Sequence, residues 1–227
     1  MATMIRNGGT GPGARTVDGC SVDFWKQLKP GPEPDIVAAA VPAGGSILEL
    51  GAGVGRITHP LLPRGYRVTA VDNSPEMLAE IRGAETVLAD IEDLALDRQF
   101  DAVLMGSCLI HAPGFETRHA LLATCRRHLA PDGQVLIQRH DPSWLDRAQP
   151  GFAWEADGVR NQVDAVVRED TLVRMTLRHT IGAETWTHCF TTEQIDFSDI
   201  EQALTAADLR FARFVDVRET WIVAKTA

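Results

Sequence analysis

Three glycines at alternate positions, Gly51, Gly53 and Gly55, follow Glu49 at the end of an apolar run, in ILELGAGVGRIT (Ile47 to Thr58). Glycine takes backbone conformations closed to other residues and lets a ligand approach the main chain. Helix-forming residues follow from Arg56 to about Leu62. Strand, glycine loop and helix start together make a site for the polar or anionic parts of a nucleotide-like ligand. Two acids stand where such a ligand needs them. Asp72 closes the next apolar run, where a carboxylate can accept from both ribose hydroxyls of an adenosine-containing ligand. Asp90-Ile91 closes the third run, where the carboxylate can accept from an adenine amino group and the next N–H can donate to the ring. Singly, Asp72 reads as well as a helix N-cap and Asp90 as a turn acid. Their order after the glycine loop favours the ligand, which in such sheets sits at the carboxyl ends of the strands.

The dinucleotide fingerprint G-x-G-x-x-G is incomplete, because Arg56 stands at its third glycine. No Gly-Lys-Ser/Thr follows the loop either, which removes the phosphate-binding P-loop. The run E-L-G-A-G-V-G resembles motif I of the class I S-adenosylmethionine-dependent methyltransferases, small-molecule type. The resemblance continues in V-D-N-S-P-E-M-L (Val71 to Leu78), A-D-I-E-D-L (Ala89 to Leu94), F-D-A-V-L-M (Phe100 to Met105) and L-A-P-D-G-Q-V-L-I (Leu129 to Ile137). It covers roughly Ser46 to Asp141.

The resemblance implies S-adenosylmethionine as cofactor and S-adenosylhomocysteine as product. It also implies residue roles. Gly51 and Gly53 pass beneath the methionine moiety, Asp72 holds the ribose with Asn73 beside the adenine, and Asp90 and Ile91 bind the adenine edge. The backbone of Gly106 and Ser107 faces the methionine amino group, and Arg56 pairs with its carboxylate. Glu49 orients the loop and the cofactor. An exposed helix-start arginine and a strand-end acid are the plainer readings of Arg56 and Glu49.

Methyl transfer from a sulfonium is an in-line displacement that rewards alignment. A proton-bearing acceptor also invites a base, and the catalytic candidates are His111, in S-C-L-I-H-A-P-G, and His140, followed by Asp141. Imidazole titrates near neutral pH. The alternatives are a loop histidine without chemistry and a structural His-Asp bond. His188, Trp186, Trp25, Trp144 and Trp154 are candidate walls of an acceptor pocket, or simply core. The Asn-Pro-Pro-Tyr signature of base methylation is absent and no catechol-type metal arrangement is evident, so no metal is expected.

The elements that must position these residues alternate. Strands are expected at Ser46–Leu50, Tyr66–Val71, Glu85–Ala89, Phe100–Met105 and Gln134–Gln138. Ser74-Pro75 opens a short helix to about Arg82, and Leu121, Leu122, Cys125 and Leu129 mark another that Pro131-Asp132-Gly133 ends. After Pro142 the period changes. Residues 159–191 alternate apolar and polar as an antiparallel meander. Ser198 and Glu201 form a capping-box pattern before a helix to about Ala207, and two last strands can pair as a hairpin. The fold class expected is α/β: a doubly wound, seven-stranded, mostly parallel sheet with a reversed C-terminal hairpin, plus the meander after the fifth strand. The domain reading is a flexible tail over 1–19 and a single domain over 20–227. That domain divides into a helical cap (20–45), a cofactor-binding core (46–141), the meander (159–191) and a closing helix and hairpin (198–227).

Composition narrows the partners. The 227 residues carry a formal charge of −9 and 44% hydrophobic residues, with no dense basic stripe. That disfavours nucleic acid and leaves a small-molecule acceptor. No stretch approaches the roughly 20 apolar residues of a membrane span. Cys20, Cys108, Cys125 and Cys189 form no C-x-x-C pair, and no secretory signal is visible, so a cytoplasmic protein with free thiols is expected; a homodimer is open to it. The reading is methyl transfer to O or N of a small molecule. Two alternatives stand beside it. One is an NAD(P)-dependent oxidoreductase on the same sheet, opposed by Arg56 and by a single tyrosine, Tyr66, with no Tyr-x-x-x-Lys. The other is a non-catalytic cofactor-binding scaffold.

Overall fold

A computed structural model of the chain describes residues 7–227. In chain order its elements are β1 (Gly8–Thr10), α1 (Val22–Gln27), α2 (Glu33–Ala40), β2 (Ser46–Leu50), α3 (Thr58–Leu61), β3 (Arg67–Asp72), α4 (Pro75–Leu78), β4 (Glu85–Leu88) and β5 (Phe100–Met105). There follow α5 (Phe115–Arg127), β6 (Leu129–Gln138), α6 (Trp144–Arg147), β7 (Ala153–Ala156), β8 (Val159–Glu169), β9 (Leu172–Ile181), β10 (Glu184–Glu193), α7 (Phe197–Ala206), β11 (Leu209–Phe214) and β12 (Trp221–Thr226).

Seven strands form one sheet in the order β11-β12-β6-β5-β2-β3-β4. The five from β4 to β6 pair in parallel, and β12 and β11 close the edge antiparallel. The central strands are apolar runs because helices cover both faces. On one face, Leu122 and Cys125 of α5 and Ile200 and Leu204 of α7 pack on Leu48, Val103 and Val135. On the other, Val37 of α2 and Leu61 of α3 pack on Ile47, Leu104 and Trp221. The expected doubly wound sheet with its reversed hairpin is present. Among the described residues no helix is long and apolar enough to cross a membrane.

Several boundaries differ from expectation. The helix after the glycine loop starts at Thr58, not Arg56, and ends in a 3₁₀ turn at Leu62–Arg64. The turn contains Pro63, which has no N–H to donate. α4 opens at Ser74-Pro75 as expected, with the Ser74 hydroxyl accepting from Met77 N–H, but stops at Leu78. β6 starts at Leu129, so Pro131-Asp132-Gly133 lies inside a strand; the register shift opposite Phe100 and Ala102 absorbs the extra residues. The cap of α7 is Asp196, not Ser198: its carboxylate accepts from Asp199 N–H at 3.0 Å, and the Asp199 carboxylate accepts from Asp196 N–H at 2.9 Å. The Asp196 charge also faces the positive end of the helix.

The meander is the centre of a five-stranded antiparallel sheet, β1-β10-β9-β8-β7. The edge strand β1 has no local signal in the sequence. Gly8–Thr10 pairs with Thr187–Cys189, so the part of the expected tail that is described is a strand and a strap; residues 1–6 lie outside the described residues. The physical reason is the free edge of β10, whose N–H and C=O groups need partners.

Candidate active site

The three loop glycines adopt left-handed backbone, with φ of 70° at Gly51 and 54° at Gly53. Asp72, at the end of β3, holds this turn. Its carboxylate accepts from Gly53 N–H at 2.8 Å and from Ser74 N–H at 2.9 Å, tying loop to helix start. Burial raises its pKa against those two bonds. Asn73 donates to Asp90 at 2.8 Å, so the ends of β3 and β4 are bridged. Glu49 is buried and accepts from Thr58 Oγ1 at 2.5 Å. Burial pushes its carboxyl up to about 7, against the Thr58 bond and nearby Arg56.

These residues surround a cavity of about 330 Å³, within the size range of small-molecule sites. Glu49, Gly51, Gly53, Arg56, Asp72, Asn73, Asp90, Ile91, Gly106 and Ser107 all line it. Every position expected to hold the cofactor therefore borders one space. A Cβ placed on Gly53 would stand at 4.0 Å from Met77 Sδ with nothing nearer, so that face of the loop is open. Arg56 donates to Lys29 C=O at 3.1 Å and lies 5.6 Å from the Trp25 ring centre, while its buried Nε has no hydrogen-bond partner. Ser107 and Cys108 take left-handed φ of 52° and 56° consecutively, and Ser107 N–H donates to Gln138 Oε1 at 2.8 Å. Non-glycine backbone of that kind is strained and clusters at functional loops.

The two histidines expected as bases do not line the cavity. His111 is buried, and both its ring nitrogens are taken by backbone. His140 N–H donates to His111 Nε2 at 3.2 Å, which leaves Nδ1 to donate to Glu193 C=O at 3.0 Å. Burial lowers its pKa to about 4. His140 sits against it, ring centres 4.6 Å apart, with Nε2 3.3 Å from Thr192 Oγ1 and its pKa lowered to about 3 by burial and by His111. Asp141 does not pair with His140: it accepts from Ser143 instead. This placement speaks against the base reading of either ring. This pair is a fixed joint between the loop after β5, the end of β6 and the end of β10.

That joint continues into an ion pair. Arg118, 5% exposed, meets Glu193 at 2.6 Å, and Glu193 also accepts from Gly114 N–H. The meander therefore docks on the carboxyl edge of the main sheet. Trp144 and Trp154 pack with Phe152 in the meander's own core, and Trp186 packs on Phe24, so these tryptophans serve packing. Trp25 lines the cavity. Sequence reasoning missed Thr16, Asp18 and Cys20, which line it from the strap. Nothing local signals them; they arrive only because β1 pairs with β10.

A family model described as a methyltransferase domain matches residues 48–137, the span of these motifs. Over this stretch the chain is similar to a methyltransferase domain. The chain is 36% identical over 112 residues to a cypemycin N-terminal methyltransferase of a Streptomyces species, covering 46% of each chain. It is 32% identical over 121 residues to a ubiquinone biosynthesis O-methyltransferase of Xanthomonas oryzae, covering 49% of this chain and 47% of that protein. The matched stretch is thus about half the length of these relatives. In fold, the chain with its meander resembles an S-adenosylmethionine-dependent methyltransferase from Clostridium acetobutylicum, with TM-score 0.72 at 18% identity over 90% of this chain and 94% of the other.

Proposed function

We propose that this chain binds S-adenosylmethionine in the cavity beside the glycine loop and methylates an oxygen or nitrogen of a small molecule. The observation that carries the reading is the open cradle over Gly53, ringed by Asp72, Asp90-Ile91 and Gly106-Ser107. A nicotinamide enzyme is disfavoured by Arg56 at the third glycine. One relative is named as an N-terminal methyltransferase and another as an O-methyltransferase of ubiquinone biosynthesis, which supports both nucleophiles.

In this reading Asp72 holds the ribose, Asn73 and Asp90-Ile91 the adenine, and Gly106-Ser107 the methionine amino group. Arg56, through its unpartnered Nε, meets the carboxylate. Glu49 supports the loop through Thr58. The cofactor supplies a methyl group already activated by its sulfonium. The chain's own task is alignment and exclusion of water, for which Leu109, Ala112 and Trp25 form the apolar side of the cavity. Neither His111 nor His140 takes the proton. The four free thiols support a cytoplasmic setting, and a homodimer is checked by sedimentation.

Calorimetry should show binding of S-adenosylmethionine and S-adenosylhomocysteine, and none of NAD. Metabolite pools incubated with the enzyme and methyl-deuterated cofactor should then show one mass-shifted product. Binding of NAD without either sulfur ligand would reverse the reading.

A further inference from the structure

The strap and the meander meet at three side chains of mixed chemistry. Asp18 and Cys20 come from the strap after β1, and His188 from β10. Cys20 Sγ lies 3.6 Å from His188 Nε2 and 3.7 Å from Asp18 Oδ2, and the three ligand atoms all fall within 4.8 Å of one another. A zinc ion sits about 2.3 Å from a thiolate and about 2.0–2.2 Å from imidazole nitrogen or carboxylate oxygen, and a tetrahedral site then spaces its ligands about 3.5–3.6 Å apart. Both sulfur edges are close to that length, and the Asp18–His188 edge is within 4.8 Å.

The surroundings are those of a prepared site. The Thr16 hydroxyl donates to Asp18 Oδ1, leaving Oδ2 turned to the thiol. Cys20 N–H donates in turn to Thr16 Oγ1 at 2.9 Å. The His188 ring is flanked by Phe190, ring centres 5.1 Å apart. Such outer partners orient ligands in metal sites.

We infer that Asp18, Cys20 and His188 form a divalent transition-metal site of the zinc class, with three protein ligands and a fourth position left open. The site is independent of the methyl-transfer reading. Cys20 and His188 lie 168 positions apart, which is why the sequence led to no metal. A metal takes the thiolate as its ligand, so binding expels the Cys20 thiol proton to solvent. Bound metal would pin the strap to β10. It would also fix part of the cavity wall, since Asp18 and Cys20 line the cavity.

The test is titration of the full chain with cobalt(II) and with zinc(II). Expected are one ion per chain, release of one thiol proton, and a near-ultraviolet thiolate-to-cobalt band. Cys189→Ser, outside the trio, should keep all three. Cys20→Ser and His188→Ala should lose the band and weaken binding by more than the roughly 10–100-fold that an outer partner costs. Thermal melts without metal check folding, and zinc should raise the melting temperature of the wild type and of Cys189→Ser but not of Cys20→Ser or His188→Ala. Asp18→Asn, at an exposed position, repeats the test with little change in packing. Sulfur hydrogen bonding alone predicts no stoichiometric uptake. That result, or a band surviving in Cys20→Ser, overturns the site.

Discussion

At the scale of single residues, Asp72 and Gly53 have separable jobs. Asp72 commits its carboxylate to two loop amides, yet it stands on the cavity wall where the ribose is proposed. Asp72→Ala should weaken S-adenosylhomocysteine by roughly 1.5–3 kcal/mol, the scale of hydrogen bonds to a charged group. Calorimetry with the two proteins side by side decides it, and unchanged affinity would remove Asp72 from the ribose. Gly53→Val should abolish binding, because its side chain would occupy the open face of the loop and its backbone would have to hold φ of 54°. Its far-UV spectrum should stay near native; measurable affinity in that variant would mean that the loop is only a turn. Glu49 is a third case. Ionised above about pH 7 and buried, it costs the ligand-free fold stability that grows as pH rises from the unfolded value of about 4.5. Glu49→Gln should therefore raise the melting temperature of the ligand-free protein at pH 8 and leave it nearly unchanged at pH 4.5. The gain should be on the order of 3 kcal/mol at most.

At the scale of elements, the joint between β10 and α5 decides whether the meander stays on the active edge. Glu193 there receives Arg118, Gly114 N–H and Thr171, while its own carbonyl holds His111. Removing one partner of a buried pair strands the other charge, at a cost of about 3–5 kcal/mol. Glu193→Ala should destabilise the protein by an amount in that range by equilibrium urea unfolding, since Arg118 is only 5% exposed. A loss below about 1 kcal/mol, as for a surface pair, would show that the meander docks by apolar packing alone.

The whole molecule carries a common response to acid. His111, His128, His140, His179 and His188 are all held below their usual pKa, with burial as the largest cause. Each is neutral when folded and gains a proton more readily when unfolded. Their stabilising contribution is fully present above about pH 6.5 and is lost as pH falls towards 4. The Glu49 and Asp72 contributions run in the opposite sense, but they are two groups against five. The melting temperature should therefore fall from pH 6.5 to 4, and scanning calorimetry at half-unit steps would show it. A flat profile would mean that these rings reach solvent.

Much of this protein is written locally. Apolar runs ending in Glu49, Asp72 and Asp90 specify strands whose ends carry acids, and glycine at 51 and 53 permits one kind of loop between strand and helix. Those are short-range facts of sterics and period, so the seven-stranded sheet and the ten cavity residues are legible in the chain itself. Helix starts are less so, because Asp196 and Ser198 compete for one cap within two positions and only the final backbone chooses. What tertiary structure alone decided was the fate of groups brought together from far apart. His111 has the residue type and the place of a base, yet backbone from Glu193 and His140 takes both of its nitrogens. The strap has a tail's composition, yet the unpaired edge of β10 makes part of it a strand and puts Thr16, Asp18 and Cys20 on the cavity wall. Pairings of that range leave no period in the sequence, because their energy comes from closing an edge that exists only once the meander has folded.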